Sequence, residues 1–414
     1  MFQNLRCVSS VKMICLMGII SPMAAQADFV DDSHLDLGLR NFYLNRNYTN
    51  HAAPVGKVGS WSQGFDLQFK SGYTDGAVGF GLDASTTYAV RLDSSGNDGS
   101  LPYSAAEKKD ARDYGRAGAT LKMRVSKTEL KIGDHRPQLP VAFDDTSRQL
   151  DTIYHGAVIE SHEFNNLTLT GGRFWSNTTR VSSNSEQLYL SGANKRLNSE
   201  GLDFAGGTYA FGQNLQTTYF YGKLHDIYRQ QYAGIKQVTP LGGDYSLQTD
   251  LRYFNNKEDG NALDGKIDNR SYGGLFALTK GPHMVGVSYQ RMLGDSAFPT
   301  LNGSPQPYLV NWSSLAFIKP QERSWGVRYG YDFAALGVPG LKFQTRYTKG
   351  TGIERGATLS DGSEIERGIF LSYIVQSGAL KGLTFDLRNI DTKVKYGSDY
   401  SEYRFATSYA WNIW

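Results

Sequence analysis

Cysteine is nearly absent: two in 414 residues, Cys7 and Cys15, both close to the start. Past residue 30 no run approaches the roughly 20 apolar residues that a membrane helix needs. Histidine is sparse. His34, His51, His135, His155, His162, His225 and His283 are scattered, and none stands with Ser and Asp, or with Cys, at a spacing that suggests a nucleophile or a zinc site. Neither sign of charge dominates, with 43 Lys and Arg against 40 Asp and Glu and a net of +3. These absences argue against a disulfide-stapled fold, a Cys-based metal centre, a helical membrane protein and a strongly basic nucleic-acid binder. No nucleotide or haem motif appears. No acid, base and nucleophile set can be named, so the chain reads as a non-enzyme with no cofactor and no metal.

What is present pulls two ways. A mean hydropathy of -0.42 and a hydrophobic share of 40% look soluble, yet aromatics reach 13%, with 26 Tyr, 21 Phe and 46 Gly. That many aromatics disfavours disorder. The segment Met1 to Ala27 has the three parts of an export signal, cleaved after Ala27: Arg6 and Lys12, the apolar core Met13 to Ser21, and the small-x-small site Ala25-Gln26-Ala27. Its removal takes both cysteines and two bases but no acid, lowering the net charge from +3 to +1. Residues 28–414 are then expected to form one exported domain without disulfides.

From Asp28 onward the period is two, not 3.6. Trp61, Phe65, Leu67, Phe69 and Tyr73 alternate with Ser62, Gly64, Asp66, Gln68 and Lys70. Val285, Val287 and Tyr289 alternate with Gly286, Ser288 and Gln290; Leu341, Phe343 and Tyr347 alternate with Lys342, Gln344 and Arg346. Short turn signals fall at 74–76, 126–128, 165–166, 212–214, 241–243, 281–282, 337–340 and 378–382. Long polar connectors fall near 47–60, 92–115, 135–152, 176–200, 223–229, 255–270, 293–322, 349–365 and 392–401. Hairpins on the short turns, plus a first and a last strand, predict an all-β, 18-stranded antiparallel transmembrane β-barrel. It has short periplasmic turns and long extracellular loops, some folded inward. Its apolar face meets lipid, its polar face lines an aqueous lumen, and its role is passage of solutes.

Parity assigns Arg40, Lys70, Lys122, Arg124, Lys131, Arg252, Arg328, Lys342, Arg346, Arg388 and Arg404 to the lumen. Closure of the first strand on the last places Arg40 beside Arg404, then Arg388, then Arg346, so that one wall is basic. A guanidinium holds a carboxylate with two parallel hydrogen bonds, and a row of them lets an anion step along without deep trapping. The loops 135–152, carrying Arg148, and 293–322 are candidates to narrow the pore. A non-selective diffusion porin is the alternative reading.

The segments Leu37–Tyr43, Asp113–Gly118, Arg124–Thr128, Ser147–Leu150, Asp226–Gln230, Glu322–Trp325, Gly337–Leu341 and Tyr373–Gly378 resemble those of the OprD-type outer-membrane carboxylate channels of Gram-negative bacteria. The resemblance implies an 18-stranded barrel in the outer membrane, monomeric or weakly trimeric, contacting outer-membrane lipid and lipopolysaccharide and no nucleic acid. It implies diffusive uptake of small carboxylate solutes, amino acids or cyclic and aromatic acids, through a loop-narrowed eyelet. It also implies that Arg40, Arg346, Arg388 and Arg404 belong to a basic ladder and that Arg148 is an eyelet arginine, with Arg180 near the constriction. With Arg124, Arg328 and Lys342 from parity, these form the expected substrate pathway. Two departures stand out: Asp151 occupies a position after the Ser-Arg pair where relatives often carry proline, and the 293–322 loop matches no family segment.

Overall fold

The computed structural model describes residues 29–50, 53, 55–193 and 196–414, so the export signal expected at 1–27 lies outside the described residues. Eighteen long strands are present among the described residues: β1 His34–Tyr48, β2 Lys57–Lys70, β3 Val78–Ser94, β4 Asp113–Val125, β5 Thr128–His135, β6 Ile153–Ser161, β7 Leu167–Thr178, β8 Leu202–Phe211, β9 Leu215–Leu224, β10 Tyr228–Gly242, β11 Tyr245–Glu258, β12 Asp268–Lys280, β13 His283–Leu293, β14 Arg323–Asp332, β15 Leu341–Ile353, β16 Gly362–Ile374, β17 Thr384–Val394 and β18 Tyr400–Asn412. Each pairs antiparallel with its sequence neighbour, and β18 pairs with β1 from Asp36↔Asn412 to Tyr48↔Tyr400. The sheet is therefore a closed barrel, and every strand has two partners, as a lipid surround demands of backbone N–H and C=O groups.

The burial pattern is inverted relative to a soluble protein. On β13, Val285 and Val287 are 56% and 51% exposed, while Ser288 and Gln290 on the alternate face are 6% and 1% exposed. Trp325 and Val327 of β14 are exposed beside buried Ser324. Apolar side chains turned outward on strand after strand are stable only against hydrocarbon. Aromatics mark both rims of that apolar band. Trp61, Tyr289 and Trp325 lie toward the end with the long connectors, and Tyr245 and Trp411 toward the other.

All eight expected short turns join strand pairs at the predicted places. The β4–β5 turn needs only Ser126 and Lys127, with Ser126 at φ 53. The β14–β15 turn contains a single 3-10 turn, Phe333–Leu336, capped by the Asp332 carboxylate, which accepts the Ala334 N–H at 3.0 Å. Two connectors expected to be long are short. Between β9 and β10 only 225–227 intervene, and between β17 and β18 only 395–399. The polar residues around them had read as loop, but Leu224 pairs with Tyr228 and Asp226 turns the chain at φ 62.

The interior also differs from a purely aqueous lumen. Inward-facing Phe174, Phe204, Phe220, Tyr232 and Phe254, from β7 to β11, form an apolar cluster with Val141, Phe298, Leu301 and Leu309 of two infolded loops. Ring centroids in it lie 4.7–5.1 Å apart. Burying each such side chain stabilises by roughly 1.5–3 kcal/mol. Part of the interior is thus filled, and the cavity that remains is lined from β6 round to β18.

Candidate functional site

Two loops meet inside the barrel. The connector 136–152 forms a small ladder, Gln138–Leu139 against Ala142–Phe143, whose tip residue Val141 enters the apolar cluster. It is held to the wall by Gln149, which accepts from the Ser62 hydroxyl at 2.8 Å and donates to the Arg40 carbonyl at 3.1 Å. Arg136 forks onto Asp66 of β2 at 2.8 and 3.2 Å. Gly64 is required for this docking: a Cβ there would lie 1.9 Å from the Gln149 amide nitrogen. The connector 294–322 crosses to meet the first loop. Gln306 donates to the Pro140 carbonyl at 2.8 Å, Tyr308 to the Gln138 carbonyl at 2.7 Å, and the Phe143 N–H to Ser304 at 3.0 Å. Its own anchors are Asn311, between Ser288 and Ser324, and Leu315, whose N–H donates to Glu366 at 2.6 Å.

These loops leave a cavity of about 1070 Å³, lined by nine cations and four carboxylates. The surplus is concentrated on β14–β18. Arg388 and Arg404 are directly opposed on β17 and β18, and Arg328 and Arg346 are directly opposed on β14 and β15. Between the two pairs, β16 presents Phe370, with the Arg346 guanidinium 5.8 Å from its ring centroid. Like charges directly opposed across strands destabilise a sheet, so two such pairs facing one cavity mark a demand other than folding.

Some of this charge is compensated locally. Arg404 hydrogen-bonds to Glu402, which also accepts from Arg46 at 2.5–2.8 Å. Arg346 donates to Glu366 at 3.0 Å, and Arg252 forks onto Asp250 at 2.5 and 2.8 Å. Other donors hydrogen-bond to no carboxylate among the described residues. Arg328 reaches only the Val310 carbonyl at 3.2 Å, and its Nε has no partner. Arg148, 6% exposed, bonds only to its neighbour Ser147, and its Nε is unsatisfied. Burial, then the nearby guanidinium groups of Arg404 and Arg180, push the Arg148 pKa well below its ordinary value. A cation so destabilised gains when an anion arrives, because the anion restores both a hydrogen-bond partner and charge balance.

Of the nine residues expected along the pathway, Arg148, Arg180, Arg328, Arg346, Arg388 and Arg404 line this single cavity. Arg180 bonds to Asp145 and to Ser147 at 3.0 Å. Burial alone would raise the Asp145 pKa, but Arg180 and Ser147 hold it below the ordinary carboxylate range. Three residues lie elsewhere. Arg40 is opposite Ser408 rather than Arg404, which faces Leu44, so Arg40 sits beneath the first loop against Phe42 at 5.4 Å. Arg124 stacks on Tyr73 at 4.1 Å, and Lys342 pairs with Asp332 at 3.3 Å, both near the short-turn end. Three cavity cations, Arg46, Lys236 and Arg252, were absent from the expected set. Arg252 had the right parity but no family motif. Arg46 had no distinguishing signal until β1–β18 pairing set it opposite Glu402.

Asp144, buried in the first loop with Oδ1 unpartnered, has its pKa pushed up to about 7 by burial and by Asp151. An acid with a raised native pKa adds stability that is complete below its ordinary 3.8 and is lost as pH rises through about 7. Each pH unit in that window costs the docked loop up to about 1.4 kcal/mol. Open-channel current noise is therefore expected to grow from pH 5 to 8 in the wild type and to stay flat in Asp144→Asn. Parallel noise-versus-pH curves for the two proteins would refute this.

Comparison with known proteins follows the same outline. Residues 27–413 match the family described as outer membrane porin, OprD family. The chain is 38% identical over 396 residues to the porin-like protein GalP of Pseudomonas putida, with 94% of each chain covered. A BenF-like porin from Pseudomonas fluorescens Pf-5 superposes with a TM-score of 0.89 at 38% identity, covering 93% of this chain and all of that one. Pseudomonas aeruginosa OpdK, solved with vanillate, superposes with a TM-score of 0.88 at 36% identity and the same coverage.

Proposed function

From the premise that the chain belongs to the OprD family of outer membrane porins, and is therefore an outer-membrane channel rather than an enzyme, we propose that it admits small carboxylate-bearing nutrients by diffusion. The carrying observation is the pair of opposed arginine couples, Arg388/Arg404 and Arg328/Arg346, facing one cavity with the undersatisfied Arg148. In this reading Arg148 and Arg180 receive the carboxylate at the constriction. Arg404, Arg388, Arg346 and Arg328 then pass it along the wall, each bond being replaced by the next rather than simply broken. The apolar cluster and Phe370 face the rest of the solute. This fits a ring or an aliphatic body as well as a headgroup, and vanillate in OpdK is such a molecule. Arg40, Arg124 and Lys342 contribute field rather than contact. The proposal includes an export signal at 1–27, cleaved to leave 28–414, and a channel that works as a monomer or a weak trimer.

Purified channel in liposomes, given radiolabelled carboxylates and their neutral amides, tests this reading. Benzoate-like acids or amino acids are expected to enter at least about tenfold faster than matched amides. Equal rates would return the protein to the non-selective porins.

A further inference from the structure

The outer face of the barrel carries its own charge pattern, unconnected with the pore. On the nine consecutive strands β9–β17, the outward position near the long-loop end is a cation on every strand. Arg229, Arg291, Arg323, Lys349 and Lys393 make no ion pair with a carboxylate among the described residues, and Arg270 acts only through its charge on Asp268, which Lys257 already holds; Arg291 donates to the Gln321 amide oxygen at 3.3 Å. The remaining three are paired: Lys223 with Asp259 at 3.4 Å, Lys257 with Asp268 at 2.8 Å, and Arg367 with Asp391. Register sets Lys223 opposite Arg229, Arg229 opposite Lys257, and Arg291 opposite Arg323, and on the other strands the cations are staggered along the pairing by two residues or more.

The row has a fixed depth. Tyr272, Tyr289, Trp325 and Tyr347 lie two residues deeper on the same face as Arg270, Arg291, Arg323 and Lys349. Aromatics at the hydrocarbon boundary put those cations at the level of lipid headgroups. The pattern is confined to one side: at the same level β1–β4 carry a single outward base, Lys57, against Asp93 and Asp113. Below the β9–β12 part of the row the outer wall is also concave. A groove of about 1320 Å³ is floored by Ala205, Gly207, Ala233 and Gly274 and flanked by Tyr219 and Leu251.

We infer that this face binds a phosphorylated, multiply acylated lipid of the outer leaflet, its phosphates on the cation row and an acyl chain in the groove. Cations just beyond an aromatic belt complement lipid phosphate, and small residues let a chain approach the sheet closely. The occupied face would then be β9–β17, with β1–β4 left to other contacts.

Full-length protein in detergent with EDTA, so that no metal bridges phosphate, is titrated with diphosphoryl lipid A and with its dephosphorylated form. Wild type is expected to favour the diphosphoryl form at least about tenfold. The R270Q/R291Q/R323Q/K349Q variant is expected to lose that preference, while its single-channel conductance, set by the lumen, stays unchanged. The all-lysine version of the three arginine positions should keep it. Equal affinity of wild type for both lipids, or of wild type and the glutamine variant for diphosphoryl lipid A, overturns the inference. So does equally effective competition by inorganic phosphate, which would reveal an ion site with no lipid component. Should the variant fail to fold, the two-lipid comparison on wild type decides alone.

Discussion

Arg404→Ala and Arg148→Ala are each expected to lower carboxylate flux about ten- to hundredfold, the effect of removing one hydrogen bond to a charged group worth roughly 1.5–3 kcal/mol. The two arise differently. Arg404 is held by Glu402 and by Ser314 at 3.2 Å, so its loss also leaves Glu402, 0% exposed, with Arg46 as its remaining close partner. Arg404→Ala thus removes an attractive charge and bares a repulsive one. Arg148 hydrogen-bonds to no carboxylate, so its loss breaks no ion pair, although it also weakens the positive field on Glu402 and Asp145. Flux of a neutral solute of the same size is expected to change little in Arg148→Ala. The double variant should fall short of the product of the two losses, because the groups share one site. Liposome uptake of a carboxylate and its amide measures both. Unchanged carboxylate uptake in both single variants would remove the arginine couples from the mechanism.

Replacing residues 138–149 by a short Gly-Ser linker is the second large effect. Single-channel conductance is expected to rise severalfold, and selectivity for carboxylates over amides to vanish. An 18-strand barrel is wide without inward loops, and this loop carries Arg148 and supplies Val141 to the apolar filling. The partner loop would also lose the contacts made by Tyr308, Gln306 and Ser304. A milder form is Gly64→Leu, which displaces Gln149 from its seat on β2. Its expected signature is frequent switching between the native and a larger conductance. A loop-deleted channel with native conductance would show that the constriction lies elsewhere.

Much of the fold was legible because strand formation is local. The alternation of Val285 and Val287 with Ser288 and Gln290 states which side faces lipid, wherever the strand sits in the barrel. Turn chemistry at Ser126-Lys127 and Gly281-Pro282 is equally local, and these hairpins lie where expected. The 225–227 and 395–399 connectors misled because polar residues near a rim serve strand and loop alike. Face assignment of Arg328, Arg346, Arg388 and Arg404 followed from parity, yet parity says nothing of height. Arg40 and Arg404 share the lumen face on adjacent strands but are offset by four residues, since register is set by pairing along the whole strand.

The amino-acid sequence alone determined the class of molecule: a closed barrel with a lipid face, a polar interior and a set of arginines on the lumen face, because a two-residue period and short turns are properties of neighbouring residues. Tertiary structure decided where the passage runs. Only the tertiary fold brings residues 136–152 against 294–322 and packs Val141 in one cluster with Phe204 and Phe220. Those contacts join residues far apart in the chain, and no local pattern encodes a partner that is distant in sequence.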